Sequence, residues 1–229
     1  MLRRLLACLA AFTLFTLATA APAQSGRDWS KTITLGDNGA FILGNPAART
    51  KLVEYLSYTC PHCAHFAAEA TPSLKADWIR QGTLSLELRN FVRDPFDLTA
   101  AILARCGGAA HFLANHEALF ANHDAWIKQA DIYARAQEGQ PKREQAEQVA
   151  DIADKTGLIA LLAKHGVTPA AQRKCLADKA MLSQVLNLTA SAWDTKEFSG
   201  TPFFILDGKP LADVHDWARL KALLPATGK

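Results

Sequence analysis

Beyond one stretch near its start, the chain has no long apolar run. That stretch, Leu5 to Ala18, is shorter than the ~20 residues a helix needs to cross a bilayer, and no later segment exceeds it, so no transmembrane helix is expected in the mature protein. An excess of one charge is also missing: 25 Lys and Arg against 22 Asp and Glu leave a formal net charge of +3. This gives no electrostatic basis for binding nucleic acid or an anionic membrane surface. Cysteine is sparse, at five residues. No Cys-x-x-Cys is followed directly by His, which excludes covalent haem attachment. No second Cys or His pair accompanies the single Cys-x-x-Cys, which argues against a four-ligand zinc site. With neither an internal repeat nor a low-complexity tract, the length suits one large domain or one domain carrying an insertion.

Arg3 and Arg4 precede the apolar run, and the small residues Ala21-Pro22-Ala23 follow it. This is the arrangement of a secretory signal peptide over residues 1–23. Cleavage is expected after Ala23, with Ala20 as the competing site. Leu6-Ala7-Cys8 superficially resembles a lipoprotein cleavage site, but the residues before Cys8 are too few to hold both a charged and an apolar region. Removing the signal leaves 206 residues, a net charge of +1 and four cysteines, Cys60, Cys63, Cys106 and Cys175. An exported chain enters an oxidising compartment, where an even number of cysteines permits disulfides.

After a polar start and a turn-rich stretch, Lys51 to Ser57 is apolar, aromatic and β-branched, which reads as a largely buried strand. The motif Cys60-Pro61-His62-Cys63 follows at once and opens into a helical pattern ending near Gly82, with Pro72 expected to kink it. Leu84 to Phe91 alternates at period two, which reads as a second strand. Strand, helix and strand make a βαβ unit with the cysteines at its first junction. From Asp94 to Glu197 the pattern turns to packed helices. Thr201 to Leu206 is again a strand, Asp207-Gly208 a hairpin turn, and "KPLADV" a short return strand. A last helix is expected from Asp213 to Leu224, with Asp213 as its N-cap.

At a strand-to-helix junction Cys60 meets free backbone N–H groups and the positive end of the helix dipole, and both favour a thiolate. Pro61 takes the first helical position, where a missing N–H costs nothing. Cys63 lies one turn further on, within reach of a disulfide, and His62 adds a donor and a potential positive charge. A purely structural disulfide here would close a tiny loop and remove little unfolded-state entropy. The motif therefore reads as a redox dithiol, with Cys60 the exposed nucleophile and Cys63 the buried resolving thiol.

Cys60-Pro-His-Cys63 at that junction, together with Gly200-Thr-Pro202 before a late strand, resembles the DsbA-like thiol:disulfide oxidoreductases of the thioredoxin-fold superfamily. The resemblance spans roughly Gly44 to Leu224. It implies an α/β thioredoxin fold interrupted by an inserted all-helical domain. The expected divisions are a signal peptide (1–23), an N-terminal extension (24–43), a first thioredoxin part (44–93), a helical insertion (94–197) and a second thioredoxin part (198–229). It also implies that Pro202 is cis, against the ordinary preference for trans X-Pro bonds, and that Thr201 offers its backbone to substrate peptide. Glu54 falls where the family keeps a buried acid that relays a proton to or from Cys63; the other reading is a strand residue whose carboxylate reaches solvent. Cys106 and Cys175 fall in the helical block, where relatives often carry cysteines, and a structural Cys106–Cys175 disulfide is expected; the alternative is two buried free thiols.

The implied activity is oxidation of reduced exported polypeptides in the periplasm by a Cys60–Cys63 disulfide, with no cofactor and no metal. The implied recycling partner is a DsbB-like membrane quinone reductase, and the expected state is a monomer. A disulfide isomerase or reductase is the alternative, kept open by Thr201, because Thr before the cis-proline is common in isomerase-like relatives. Against it, Gln24 to Gly44 is too short for the dimerisation domain such isomerases carry. A peptide-binding chaperone is the third reading. His65, His111, His116 and His123 are expected to be ordinary helix residues, and Lys142 to Glu147 a solvated helix face.

Overall fold

The computed structural model describes residues 26–195 and 197–226; the expected signal peptide lies outside them. Among these residues six strands form one mixed sheet in the order β1-β2-β4-β3-β5-β6. They are β1 (Ile33–Leu35), β2 (Phe41–Gly44), β3 (Thr50–Leu56), β4 (Leu84–Asn90), β5 (Phe203–Leu206) and β6 (Lys209–Leu211). The central pair, β3 and β4, is parallel, with Glu54 opposite Leu88, and β5 joins β3 antiparallel, with Glu54 opposite Phe204.

Helix α1 (Pro61–Leu74) crosses from β3 to β4. It buries Cys63, Phe66, Ala70 and Leu74, spacings of three and four that place all four on one face. Phe66 packs on Phe204 of β5 at 4.7 Å between ring centroids. The helix passes through Pro72 and widens into a π turn, Lys75–Ile79, before β4.

Helices α2 (Pro95–Arg105), α3 (Ala109–Ala121), α4 (His123–Ala136), α5 (Gln145–Lys155), α6 (Leu158–Ala163), α7 (Pro169–Leu176) and α8 (Lys179–Trp193) all lie between β4 and β5. They are the all-helical insertion in a thioredoxin fold. Helix α2 starts where Asp94 caps it by accepting from the Asp97 N–H, a cap typically worth about 1 kcal/mol. The last helix, α9 (Trp217–Leu223), packs Trp217 edge-on to Trp78 at 6.1 Å.

Two expectations need correction. The segment 24–43 is not a mere extension: it supplies β1 and most of β2, and β2 pairs antiparallel with β4. The stretch reads as turns because its strands are three and four residues long, too short to show period two; β4 supplies the partner that makes them strands. The last helix begins at Trp217 and its N-cap is Asp216, whose side chain accepts from the Arg219 N–H at 2.8 Å. Asp213 stands before it, and its carbonyl accepts from the Arg219 guanidinium.

Candidate functional site: a dithiol at the end of the sheet

Strand β3 ends at Leu56, and Ser57 to Thr59 turn the chain into α1. Cys60 is the N-cap residue in extended conformation, and Pro61 is the first helical residue. The Cys60 thiol donates to the Thr201 carbonyl at 3.2 Å, and the Thr201-Pro202 peptide bond is cis. The loop before β5 thus closes over the start of α1. For that reason Cys60 is only 3% exposed, which corrects the expectation of an exposed nucleophile. Cys63 is fully buried, and both thiols are free.

The two sulfurs sit in opposite electrostatic settings. The Cys60 pKa is lowered to about 5, first by the hydrogen bond from the Cys63 thiol, then, against the opposing effect of burial, by the Thr201 side chain and the N–H groups of Cys63 and His62. The Cys63 pKa is pushed well above the usual thiol range, first by burial and then by the Cys60 sulfur, with Glu54 adding to it. Glu54 itself is 4% exposed, and burial, with the negative charge of Cys60, raises its carboxyl to about 8. Its carboxylate does not reach into solvent. An acid protonated near neutral pH thus lies within electrostatic reach of both sulfurs.

The His62 side chain is exposed, so its visible contribution is its backbone N–H. His65 is also exposed and faces Glu69 at 3.3 Å, one turn along α1. Cys106 and Cys175 form a disulfide with Cα atoms 5.8 Å apart, joining the end of α2 to α7. His116 is buried against the Tyr58 hydroxyl at 3.0 Å, His111 meets the His165 carbonyl, and His123 meets Asp124. Among the described residues no group of three or more His, Cys, Asp or Glu could hold a metal ion.

Sequence reasoning missed the acids that hold the loop before Cys60. Asp97 is 1% exposed and accepts from the Tyr58 N–H at 2.8 Å and the Arg93 N–H at 3.0 Å. Burial raises its pKa to about 7. Asp94 accepts from the Thr59 hydroxyl at 2.9 Å. These bonds fasten the helical block to the residues just ahead of Cys60. The signal was present in Asp94-Pro95-Phe96-Asp97, an N-cap followed by Pro and then an acid three positions on, but its target lies 39 residues away.

A family model described as thioredoxin matches residues 37–226. The chain belongs to the thioredoxin family. Among solved structures, a protein-disulfide isomerase from Novosphingobium aromaticivorans is 36% identical, with a TM-score of 0.74, covering 79% of this chain and 93% of that one. The α-DsbA1 structure of Wolbachia pipientis shares the fold at 24% identity and a TM-score of 0.59, over 75% of this chain and 76% of its own. A Rickettsia bellii protein, named provisionally as a protein-disulfide oxidoreductase, is 32% identical over 172 residues, 75% of this chain and 58% of that protein. The chain thus spans little more than half the length of the curated relatives it matches. No helix among the described residues is long and apolar enough to cross a membrane.

Proposed function

We propose that this member of the family is a periplasmic dithiol oxidase that donates a Cys60–Cys63 disulfide to exported polypeptides. The reading rests on the opposed pKa values of Cys60 and Cys63. A client thiolate attacks the Cys60 sulfur; the client–Cys60 bond forms as the Cys60–Cys63 bond breaks. Cys63 leaves with the electron pair and, being poor as a thiolate, takes a proton, for which the neutral Glu54 carboxyl, within electrostatic reach, is the proposed donor. A second client thiolate then attacks the client sulfur of the mixed disulfide, and Cys60 leaves as a stabilised thiolate. The client dithiol loses two electrons and the Cys60–Cys63 pair gains them. Reoxidation requires an electron acceptor, for which a DsbB-like membrane quinone reductase is the proposed class.

At pH 7 a thiolate of pKa about 5 favours the reduced dithiol by roughly 3 kcal/mol, which for a two-electron couple is roughly 60 mV. That term makes the disulfide more oxidising. The deciding measurement is the Cys60–Cys63 potential against glutathione, paired with the rate of oxidation of a reduced, disulfide-requiring substrate. A potential well above the roughly −270 mV of thioredoxin is expected; one near it would sink the oxidase reading.

The second reading, a disulfide isomerase held reduced by another donor, is favoured by the likeness, at 36% identity, to the Novosphingobium protein-disulfide isomerase and by Thr201. It predicts faster rearrangement of scrambled disulfides than oxidation of dithiols, and a dimer in solution. An oxidase predicts the reverse rate order and a monomer.

A further inference from the structure

Trp193 closes α8 with 69% of its surface exposed, the most of any large apolar side chain described. It is not an isolated surface residue. Its ring stands edge-on to Phe91 at 5.2 Å and to Phe198 at 5.6 Å. Phe91 and Phe198 pack at 4.7 Å, and Phe198 packs on Tyr55 at 5.7 Å and Phe203 at 5.4 Å. Phe203 is the residue directly after cis-Pro202. A continuous row of aromatic rings therefore runs across the sheet face opposite Phe204 and α1, from Phe203 beside cis-Pro202 in the chain to an uncovered indole. Folding explains the inner rings, which fill the sheet face under α8. It does not explain leaving the outermost, with the largest apolar surface of any side chain, in water.

We infer that Trp193 is the specificity contact for an apolar side chain of the client polypeptide, two to four residues from its reacting cysteine. The inference rests on the exchange reaction proposed above. Capture at Cys60 places the client cysteine beside Thr201, whose carbonyl meets the Cys60 sulfur. Phe198 precedes Thr201 by three residues, so their Cα atoms are at most about 10 Å apart, and a client segment of two to four residues running past Gly200 is long enough to cover that span. Two exposed acids, Asp194 and Glu197, lie next to it in the chain with Lys196 between them, a net formal charge of −1 that disfavours acidic client residues. An indole on an aromatic base is the kind of rigid apolar contact that dominates binding at interfaces.

The test uses dithiol peptides differing at one position, three residues from the reacting cysteine, filled by Leu, Ser or Glu. They are oxidised by the full mature chain with glutathione disulfide as terminal oxidant, and the readout is the ratio of kcat/KM values. The wild type is expected to prefer Leu over Ser by about tenfold, the equivalent of one modest apolar contact, with Glu slowest. Trp193→Ser brings the Leu:Ser ratio to about one, and Trp193→Phe restores most of it. A wild-type ratio near one, or an unchanged ratio in Trp193→Ser, overturns the inference while leaving the oxidase reading intact. Failure to oxidise any of the peptides overturns both. A dimer that Trp193→Ser dissociates in sedimentation assigns the indole to a second copy of the chain and also overturns it.

Discussion

The chain carries two cysteine pairs in opposite settings. Cys106 and Cys175 are bonded and span 69 residues, so closing that loop removes many unfolded conformations, worth about 4 kcal/mol in the chain-entropy account. Cys60 and Cys63 are one helical turn apart and free, and closing so short a loop removes little. What they have instead is asymmetry. The Cys60 sulfur accepts from the Cys63 thiol, faces Thr201 and helix N–H groups, and is held near pKa 5, while Cys63, one turn deeper, is driven the other way. The loop a bond closes, and the charges around its sulfurs, separate a staple from a reagent; the side chain is the same in both.

The comparison breaks most sharply on removal of each pair. Cys60→Ser is expected to slow thiol–disulfide exchange roughly a thousandfold or more in a refolding assay of a reduced substrate, and full retention would make the dithiol incidental to a chaperone. The double variant Cys106→Ala/Cys175→Ala is expected to exchange at a rate within about twofold of wild type while losing about 4 kcal/mol in urea unfolding. Equal losses of exchange in both variants would erase the distinction between the pairs.

A smaller effect sharpens the asymmetry itself. Glu54→Gln is expected to slow client oxidation by roughly ten- to a hundredfold at pH 7, since it removes the proton offered to Cys63. In the wild type the Glu54-dependent part of that rate falls as pH rises toward about 8, where the carboxyl ionises in the reduced chain with its Cys60 charge; in the variant that part is absent. Stability carries the same sign. The folded pKa of Glu54 lies above its ordinary 4.5, so its contribution is present below 4.5 and is lost as pH rises through about 8. A rate profile that keeps its fall near pH 8 in Glu54→Gln removes Glu54 from the proton path.

The smallest effect concerns packing behind the dithiol. Burial lowers the His116 pKa from 6.5 to about 4, with Lys75 adding to it. Its contribution to stability is present above 6.5 and is lost as pH falls toward 4. His116→Gln is expected to flatten that acid limb, at a cost of about 1 kcal/mol at pH 7 from the weakened bond to Tyr58, measured by urea unfolding at pH 7, 5.5 and 4.5. An unchanged acid limb would place the acid sensitivity elsewhere.

Much of the site was legible because its signals are local. Cys60, Pro61 and Cys63 occupy one helix start, and the alternation of Leu84 to Phe91 marks β4 without reference to anything else. Gly200-Thr201-Pro202 was legible only through the family resemblance, since nothing in its own neighbourhood favours a cis bond. Strands β1 and β2 escaped because three or four residues carry no usable period, and the cap of α9 was misplaced because two aspartates, Asp213 and Asp216, both suit the role. The Asp97–Tyr58 and Tyr58–His116 bonds were out of reach, for they join residues 39 and 58 positions apart.

The order of the letters alone determined which atoms can react: two thiols one helical turn apart, a proline that starts the helix between them, and an acid six residues upstream on a strand. Tertiary structure alone decided how they react. The burial that lifts Glu54 to about 8, the cis-proline loop that covers Cys60, and the aromatic row that ends in an exposed Trp193 depend on elements that meet in space from distant parts of the chain. Desolvation and charge act through distance in three dimensions, and adjacency in sequence does not encode that distance.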